Sequence, residues 1–264
     1  MNRQLTGQHA IVTGAGRGLG RAIATGLANE GASVTICART ESELRKTLEQ
    51  IRSTGGRVES FAVDLADARA CQELIADIRE RAQRIDILVN NAATLRLTPI
   101  EDLGFQEWSQ TLDVNLNAPF LLIRGFLADM RERGGSIINV SSRAGALGFK
   151  DESAYCTSKF AMEGLTRALA VELSGSPVSV NTVTPGLKIK PTSMSEEAFE
   201  RLSEQEKKAW NNPVEIVPAF LYLAGLRGEV SGRRFDAQVL SEELRKKGLD
   251  LDPARAAELA ENSQ

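Results

Sequence analysis

Short apolar runs rich in β-branched residues alternate along this chain with segments whose apolar residues recur at helical spacing. That alternation constrains the fold more than any other feature. The runs fall at residues 9–13, 33–37, 58–63, 85–89, 136–140 and 178–183, each bounded by Gly, Asp, Asn or Pro. Between them, residues 21–29 place Ile23 and Leu27 four apart, and residues 41–51 put Leu44, Leu48 and Ile51 on one helical face. Strand, helix and strand in succession demand crossover connections, so the strands lie parallel with helices on both faces. Strands covered on both faces read as continuous apolar runs, as these do. The expected fold is one α/β domain over residues 1–264, a doubly wound (Rossmann) parallel sheet of about seven strands.

Composition narrows the class. The chain has 264 residues, 42% hydrophobic and 25% charged, enough for a sizeable core without staples. A net charge of -3 lacks the basic footprint that non-specific nucleic-acid binding needs. Cys37, Cys71 and Cys156 are odd in number and share no motif spacing, which argues for free thiols in a reducing compartment. With His9 the sole histidine, no metal site is expected. Met1-Asn2-Arg3-Gln4 lacks the apolar core of a signal peptide. No apolar run reaches the roughly 18–20 residues of a membrane span. A cytoplasmic protein with no nucleic-acid or membrane partner is the expectation. A long polar stretch over residues 187–212 is expected to form a substrate lid, with a surface helix within 195–210. Residues 241–264 alternate charges with Leu and Ala, and their plainest reading is a solvated C-terminal tail, with an oligomer contact as the alternative.

The run Thr13-Gly14-Ala15-Gly16-Arg17-Gly18-Leu19-Gly20 lies where a strand turns into a helix. Gly14 permits the tight turn, and Gly18 and Gly20 let backbone approach a pyrophosphate. The helix that follows offers free N–H groups and a positive dipole end to phosphates. The second run ends at Cys37-Ala38-Arg39, with Ala38 where an NAD site places an acid for the ribose hydroxyl. Arg39, together with Arg17 in the loop, suits a 2′-phosphate, because guanidinium binds phosphate bidentately. NADP(H) is therefore expected over NAD(H).

Tyr155-Cys156-Thr157-Ser158-Lys159 carries the second signal. A ketone that accepts hydride develops negative charge on oxygen, so a proton donor and a second hydrogen-bond donor are needed. Tyrosine ionises near pH 10, and a nearby ammonium favours the tyrosinate. Residues four apart share a helix face, and Ala161, Leu165, Ala168 and Leu169 continue a helical period over residues 153–173. Ser142 follows the strand at 136–140, at the carboxyl edge where doubly wound sheets bind ligands.

Together these residues resemble the short-chain dehydrogenase/reductase family, most strongly from Thr13 to Gly186. Asp64, followed by Leu65, is similar to the family aspartate that contacts adenine. Asn90-Asn91-Ala92-Ala93 resembles the family's N-N-A-G run, which lines the cofactor. Asn115 matches the family asparagine that holds a water linking the lysine to solvent. Ser142 lies thirteen residues before Tyr155, as the family serine does, and that spacing favours it over Ser141. The resemblance implies Asn115, Ser142, Tyr155 and Lys159 as catalytic residues. It implies Gly14, Arg17, Gly18, Leu19, Gly20, Arg39, Asp64, Leu65, Asn91, Ala92, Tyr155, Lys159, Pro185, Gly186 and Ile189 as cofactor contacts.

The chain departs from the family in two places. After Pro185-Gly186 the expected threonine is missing; Thr192 serves only if the loop is longer, and otherwise Ile189 contacts the nicotinamide by its backbone. The last strand reads Ser231-Gly232-Arg233-Arg234-Phe235-Asp236-Ala237-Gln238, without the family's glycine pair. A homodimer or a homotetramer is expected. Candidate pocket residues are Thr94, Leu95, Arg96, residues 143–149, Glu152 and Leu187. Arg96, Arg143 and Lys188 suit an anionic substrate. The leading expectation is an NADP(H)-dependent oxidoreductase acting on a ketone or secondary alcohol. A 3-oxoacyl thioester reductase is one alternative, and a catalytically silent dinucleotide-binding sensor or scaffold is another.

Overall fold

The computed structural model describes residues 4–82, 84–189, 199, 201–207 and 210–261. Its strands are β1 (His9–Thr13), β2 (Ser33–Ala38), β3 (Arg57–Ala62), β4 (Ile87–Asn90), β5 (Gly135–Val140), β6 (Val178–Thr184) and β7 (Arg234–Asp236). All pair in parallel in the order β3-β2-β1-β4-β5-β6-β7. The chain thus builds outward from β1 in one direction, then returns to place β4 on its other side. That reversal opens a crevice above the carboxyl ends of β1 and β4.

Successive side chains of each strand enter opposite layers. Ala10, Val12, Ile87, Val89 and Ile138 join one buried cluster, while Ile11, Leu88 and Ile137 join the other. The first cluster takes Ile23 and Leu27 of α1 (Gly18–Asn29) and Leu44 and Ile51 of α2 (Glu41–Ser53). The second takes Leu74 and Ile78 of α3 (Ala68–Arg81), Leu122 and Phe126 of α5 (Ala118–Arg133), and Leu165 and Leu169 of α6 (Ser153–Glu172). A short α4 (Phe105–Leu112) precedes α5. Burying a leucine or phenylalanine in this way contributes about 1.5–3 kcal/mol each.

β4 starts two residues later than the apolar run predicts. The buried Asp86 carboxylate accepts from His9 N at 2.8 Å and pairs with Arg84, so residue 86 serves as a polar anchor beneath the sheet.

The C-terminal segment corrects the expectation of a solvated tail. After α7 (Glu204–Lys207) and α8 (Val217–Gly225) come α9 (Ala237–Lys247) and α10 (Pro253–Glu261). Leu240, Leu244, Leu251, Ala256 and Ala260 are buried in the first core cluster, beside Phe220 and Leu223 of α8. The apolar stripe is therefore structural; its partner surface lies elsewhere in the sequence. Of the expected lid, Ile189 bridges to Asn211 and packs on the same core. Thr192 lies outside the described residues.

Candidate active site

The glycine run folds as the turn between β1 and α1, pressed against the segment after β4. The Thr13 hydroxyl accepts from both Asn91 N and Ala92 N at 2.9 Å, and Asn91 Nδ2 donates to the Thr13 carbonyl at 2.9 Å. A Cβ on Gly14 would stand 2.8 Å from Ala92 Cα, and one on Gly20 would stand 2.3 Å from the Gly14 carbonyl. Only glycine fits this contact. Arg17, at the N-cap of α1, gives no side-chain hydrogen bond to the first turn. Those N–H groups point toward whatever enters the crevice.

Two residues that the sequence pattern does not single out brace this loop from below. Thr47 donates to the Ala15 carbonyl at 2.9 Å. Arg21 reaches the Gly16 carbonyl and, through Nε, Thr47 Oγ1 at 3.0 Å. Arg21 follows the glycine run directly and Thr47 lies within α2, so neither carries a motif signal of its own.

One cleft brings together Gly14, Arg17, Leu19, Gly20, Arg39, Asp64, Leu65, Asn91 and Ala92. It runs from Arg39, past the glycine loop, to Thr94 and Val114. A groove that is narrow where backbone meets backbone, with a helix N-terminus at its middle, fits a dinucleotide. Gly18, Tyr155, Lys159, Pro185, Gly186 and Ile189 are not among its lining residues. Gly186 instead packs on Asp236, whose Oδ1 lies 2.1 Å from the position of a Cβ there.

At the far end of the cleft the two arginines differ. Arg17 Nη1 donates to Glu43 Oε1 at 3.0 Å, a partner that the spacing of residues 17 and 39 does not reveal. Arg39 is exposed and has no hydrogen-bond or ion-pair partner among the described residues.

Beyond β5, Ser142, Tyr155 and Lys159 converge. Ser142 stands in extended backbone and caps the Ala144 N–H through its hydroxyl at 3.2 Å. The same hydroxyl faces the Tyr155 phenol and favours its ionised form. Ser141 turns the other way and donates to Glu163 Oε1 at 2.5 Å, so it does not compete for that position. Lys159 is 2% exposed, donates to the Val140 carbonyl at 2.8 Å, and lies 5.6 Å from the centroid of the Tyr155 ring.

The electrostatics reverse one expectation. Burial holds the Tyr155 phenol above its usual range, opposed by the Ser142 hydrogen bond. Burial also brings Lys159 down to about 8, opposed by the Glu163 carboxylate. The sequence pattern predicts a phenol depressed by the ammonium. Here desolvation is the largest cause at each group.

Asn115 is buried in a π-helical turn, Asp113–Asn117, which joins α4 to α5, with Pro119 in the first turn of α5. Its Oδ1 accepts from Thr94 N at 2.8 Å, and its Nδ2 donates to the Thr94 carbonyl and to Ser158 Oγ, both at 3.0 Å. Ser158 in turn donates to the Tyr155 carbonyl at 2.7 Å. The amide thus positions the helix turn that carries Tyr155 and Lys159.

The cations around the expected substrate pocket are occupied within the chain. Arg96 donates to Gln110 at 3.1 Å and pairs with Glu107 at 3.8 Å. Arg143 stands over the Phe149 ring at 5.5 Å, and Lys188 over Trp210 at 4.3 Å. Glu152, raised by burial, adds negative charge near Tyr155. Asp151 holds a left-handed backbone, φ 62°, and its carbonyl accepts from Thr98 N at 2.8 Å. That bond ties the loop before α6 to the loop after β4.

Comparison with known proteins agrees with this geometry. The family model for short chain dehydrogenase matches residues 8–203. A D-threitol dehydrogenase of Mycolicibacterium smegmatis is 36% identical over 211 residues, 80% of this chain and 76% of that protein. The short-chain reductase protein NovJ of Streptomyces niveus is 43% identical over 194 residues, 73% of each chain. A metagenomic short-chain oxidoreductase solved in complex with NADP superposes with a TM-score of 0.73 at 34% identity, covering 85% of this chain and 94% of that one. The chain belongs to the short-chain dehydrogenase family and is an oxidoreductase of that family. No helix among the described residues is long and apolar enough to cross a membrane.

Proposed function

We propose that this protein transfers hydride between NADP(H) and a ketone or secondary alcohol, acting as one domain with residues 187–212 as its lid. The observation that carries the reading is the Ser142–Tyr155 hydroxyl pair, set beside a buried Lys159 at the carboxyl edge of the sheet. When bound, the nicotinamide supplies or accepts the hydride. Tyr155 gives its proton to the developing oxyanion, and Ser142 holds that oxygen with a second hydrogen bond. Lys159 provides positive charge beneath the phenol. Asn115 fixes the helix turn through Ser158, and its backbone carbonyl is the group that holds a relay water. Arg39 takes the 2′-phosphate, with Arg17 beside it.

The substrate is a neutral alcohol or ketone in preference to an acyl carrier thioester. What supports this is that Arg96, Arg143 and Lys188 are each engaged inside the chain, while Glu152 adds negative charge near Tyr155. The substrate named for the threitol relative is a neutral polyol, in keeping with this choice.

The test is a panel of polyols, cyclic alcohols, ketones and 3-oxoacyl thioesters, followed by nicotinamide absorbance with both cofactors. Turnover is expected with NADP(H) and lost by orders of magnitude in Tyr155→Phe, with cofactor binding intact. Near-normal turnover in that variant would remove the tyrosine from the mechanism. Cofactor binding without turnover across the panel would favour the sensor.

A further inference from the structure

The departure in the last strand has a structural counterpart next to the proposed proton-delivery site. Arg234 opens β7, is 7% exposed, and sends Nη2 to the Ser142 carbonyl at 2.9 Å. Its Nε lies 3.4 Å from Glu163 Oε1, with both side chains 8% exposed. Glu163 sits one helical turn beyond Lys159, and its second oxygen accepts from Thr182 Oγ1 on β6 at 2.7 Å. With Ser141 on the first oxygen, the carboxylate is held by three groups from three elements.

We propose that Arg234 is a positioning residue for the Ser142 hydroxyl, clamping the Ser142 carbonyl while Glu163 anchors the guanidinium. This rests on the function proposed above for Ser142. A carbonyl fixed by a charge-assisted bond fixes the peptide plane that follows it, and with it the direction of the side chain. Ser142 otherwise belongs to a short turn, its carbonyl also accepting from Gly145 N at 2.9 Å and its hydroxyl facing Ala144 N and Tyr155. The guanidinium is needed because it meets two partners at once, a hydrogen bond to the carbonyl through Nη2 and an ion pair with the carboxylate through Nε. A lysine ammonium of shorter reach serves Glu163 or the carbonyl, and not both.

Arg234→Lys is the main test, because it keeps a charge opposite the buried carboxylate and spares the fold. A neutral double variant, Arg234→Met with Glu163→Gln, guards against collapse of either single change. Each is compared with wild type in turnover, NADPH affinity by fluorescence and melting temperature. Each is also made in a Ser142→Ala background. The expected result is a fall in kcat of about 10- to 100-fold, part of what loss of one oxyanion donor costs, with NADPH affinity unchanged. In the Ser142→Ala background the same substitutions lower kcat no further.

A second readout needs no cofactor. The chain has two tyrosines, so a Tyr222→Phe background leaves Tyr155 as the only phenol to titrate by tyrosinate absorbance. Arg234→Lys is expected to move that titration upward, since the Ser142 hydrogen bond is what opposes burial at Tyr155. An unchanged titration, a normal kcat in Arg234→Lys, or an equal loss with and without Ser142 overturns the proposal. If Ser142→Ala itself turns over normally, the reading of Ser142 fails and this inference fails with it. If Ser142→Ala is inactive and Arg234→Lys is normal, the inference alone fails.

Discussion

Lys159 lies with its Nζ 5.6 Å from the centroid of the Tyr155 ring, while its hydrogen bond goes to the Val140 carbonyl at 2.8 Å. The ammonium is thus anchored to strand β5 and faces the phenol from one helical turn away. Burial brings it down from 10.5 to about 8.

That depression sets a stability signature. Between pH 8 and 10.5 the unfolded chain binds a proton that the native chain does not, so native stability rises with pH across that interval. The stability of wild type relative to Lys159→Met is expected to climb by about 3 kcal/mol from pH 7 to 10.5, the equivalent of the shift in proton affinity. Urea unfolding of both proteins at a series of pH values reads this directly. A difference independent of pH would mean that Lys159 is not desolvated in the native state.

Arg39 has no hydrogen-bond or ion-pair partner among the described residues, while Arg17 is paired with Glu43. Arg39→Asp is therefore expected to raise the KM for NADPH about 10- to 100-fold, the scale of one lost charge-assisted bond, and to leave the KM for NADH nearly unchanged. Arg17→Ala has the smaller effect. Glu43→Gln frees Arg17 and lowers the KM for NADPH. Steady-state kinetics with both cofactors checks all three, and an Arg39→Asp enzyme that still prefers NADPH would assign the 2′-phosphate elsewhere.

Gly186 has φ 71°, and a Cβ there would meet Asp236 Oδ1 at 2.1 Å. Asp236 cannot retreat without leaving the Gln238 and Val239 N–H groups that it caps, at 2.9 and 3.1 Å. Gly186→Ala is expected to cost more than about 1 kcal/mol and to lower the melting temperature. Adding Asp236→Ala recovers part of the loss, because removal of the cap costs about 1 kcal/mol but relieves the collision. Full additivity of the two changes would show that they do not touch.

Deleting residues 249–264 removes Leu251, Ala256 and Ala260 from the core. A sharply lower melting temperature, or loss of soluble protein, is expected. An unchanged thermal melt would restore the picture of a solvated tail.

The parts legible in sequence are those whose cause is local. α1 begins at Gly18 and ends at Asn29, as the glycine turn and the Ile23–Leu27 period require. α6 follows from its own period, and Ser142 from its spacing to Tyr155. What was not legible depends on residues far apart in sequence. Arg17 meets Glu43 across 26 positions, and Arg234 meets Ser142 across 92. Leu240 and Leu244 announce a helix face, and neither they nor Leu251 say what covers them. The raised phenol of Tyr155 depends on burial, which neither spacing nor composition encodes.

The π-helical turn at Asp113–Asn117 has a cause four residues beyond Asn115. In an α-helix the Asn115 carbonyl would pair with the nitrogen of residue 119, but residue 119 is proline and carries no hydrogen there. Its ring would also press on that same carbonyl, and a wider turn relieves the pressure. One missing donor thus decides the shape of the turn that carries Asn115, and Pro119→Ala would restore the donor that an α-helical turn needs there.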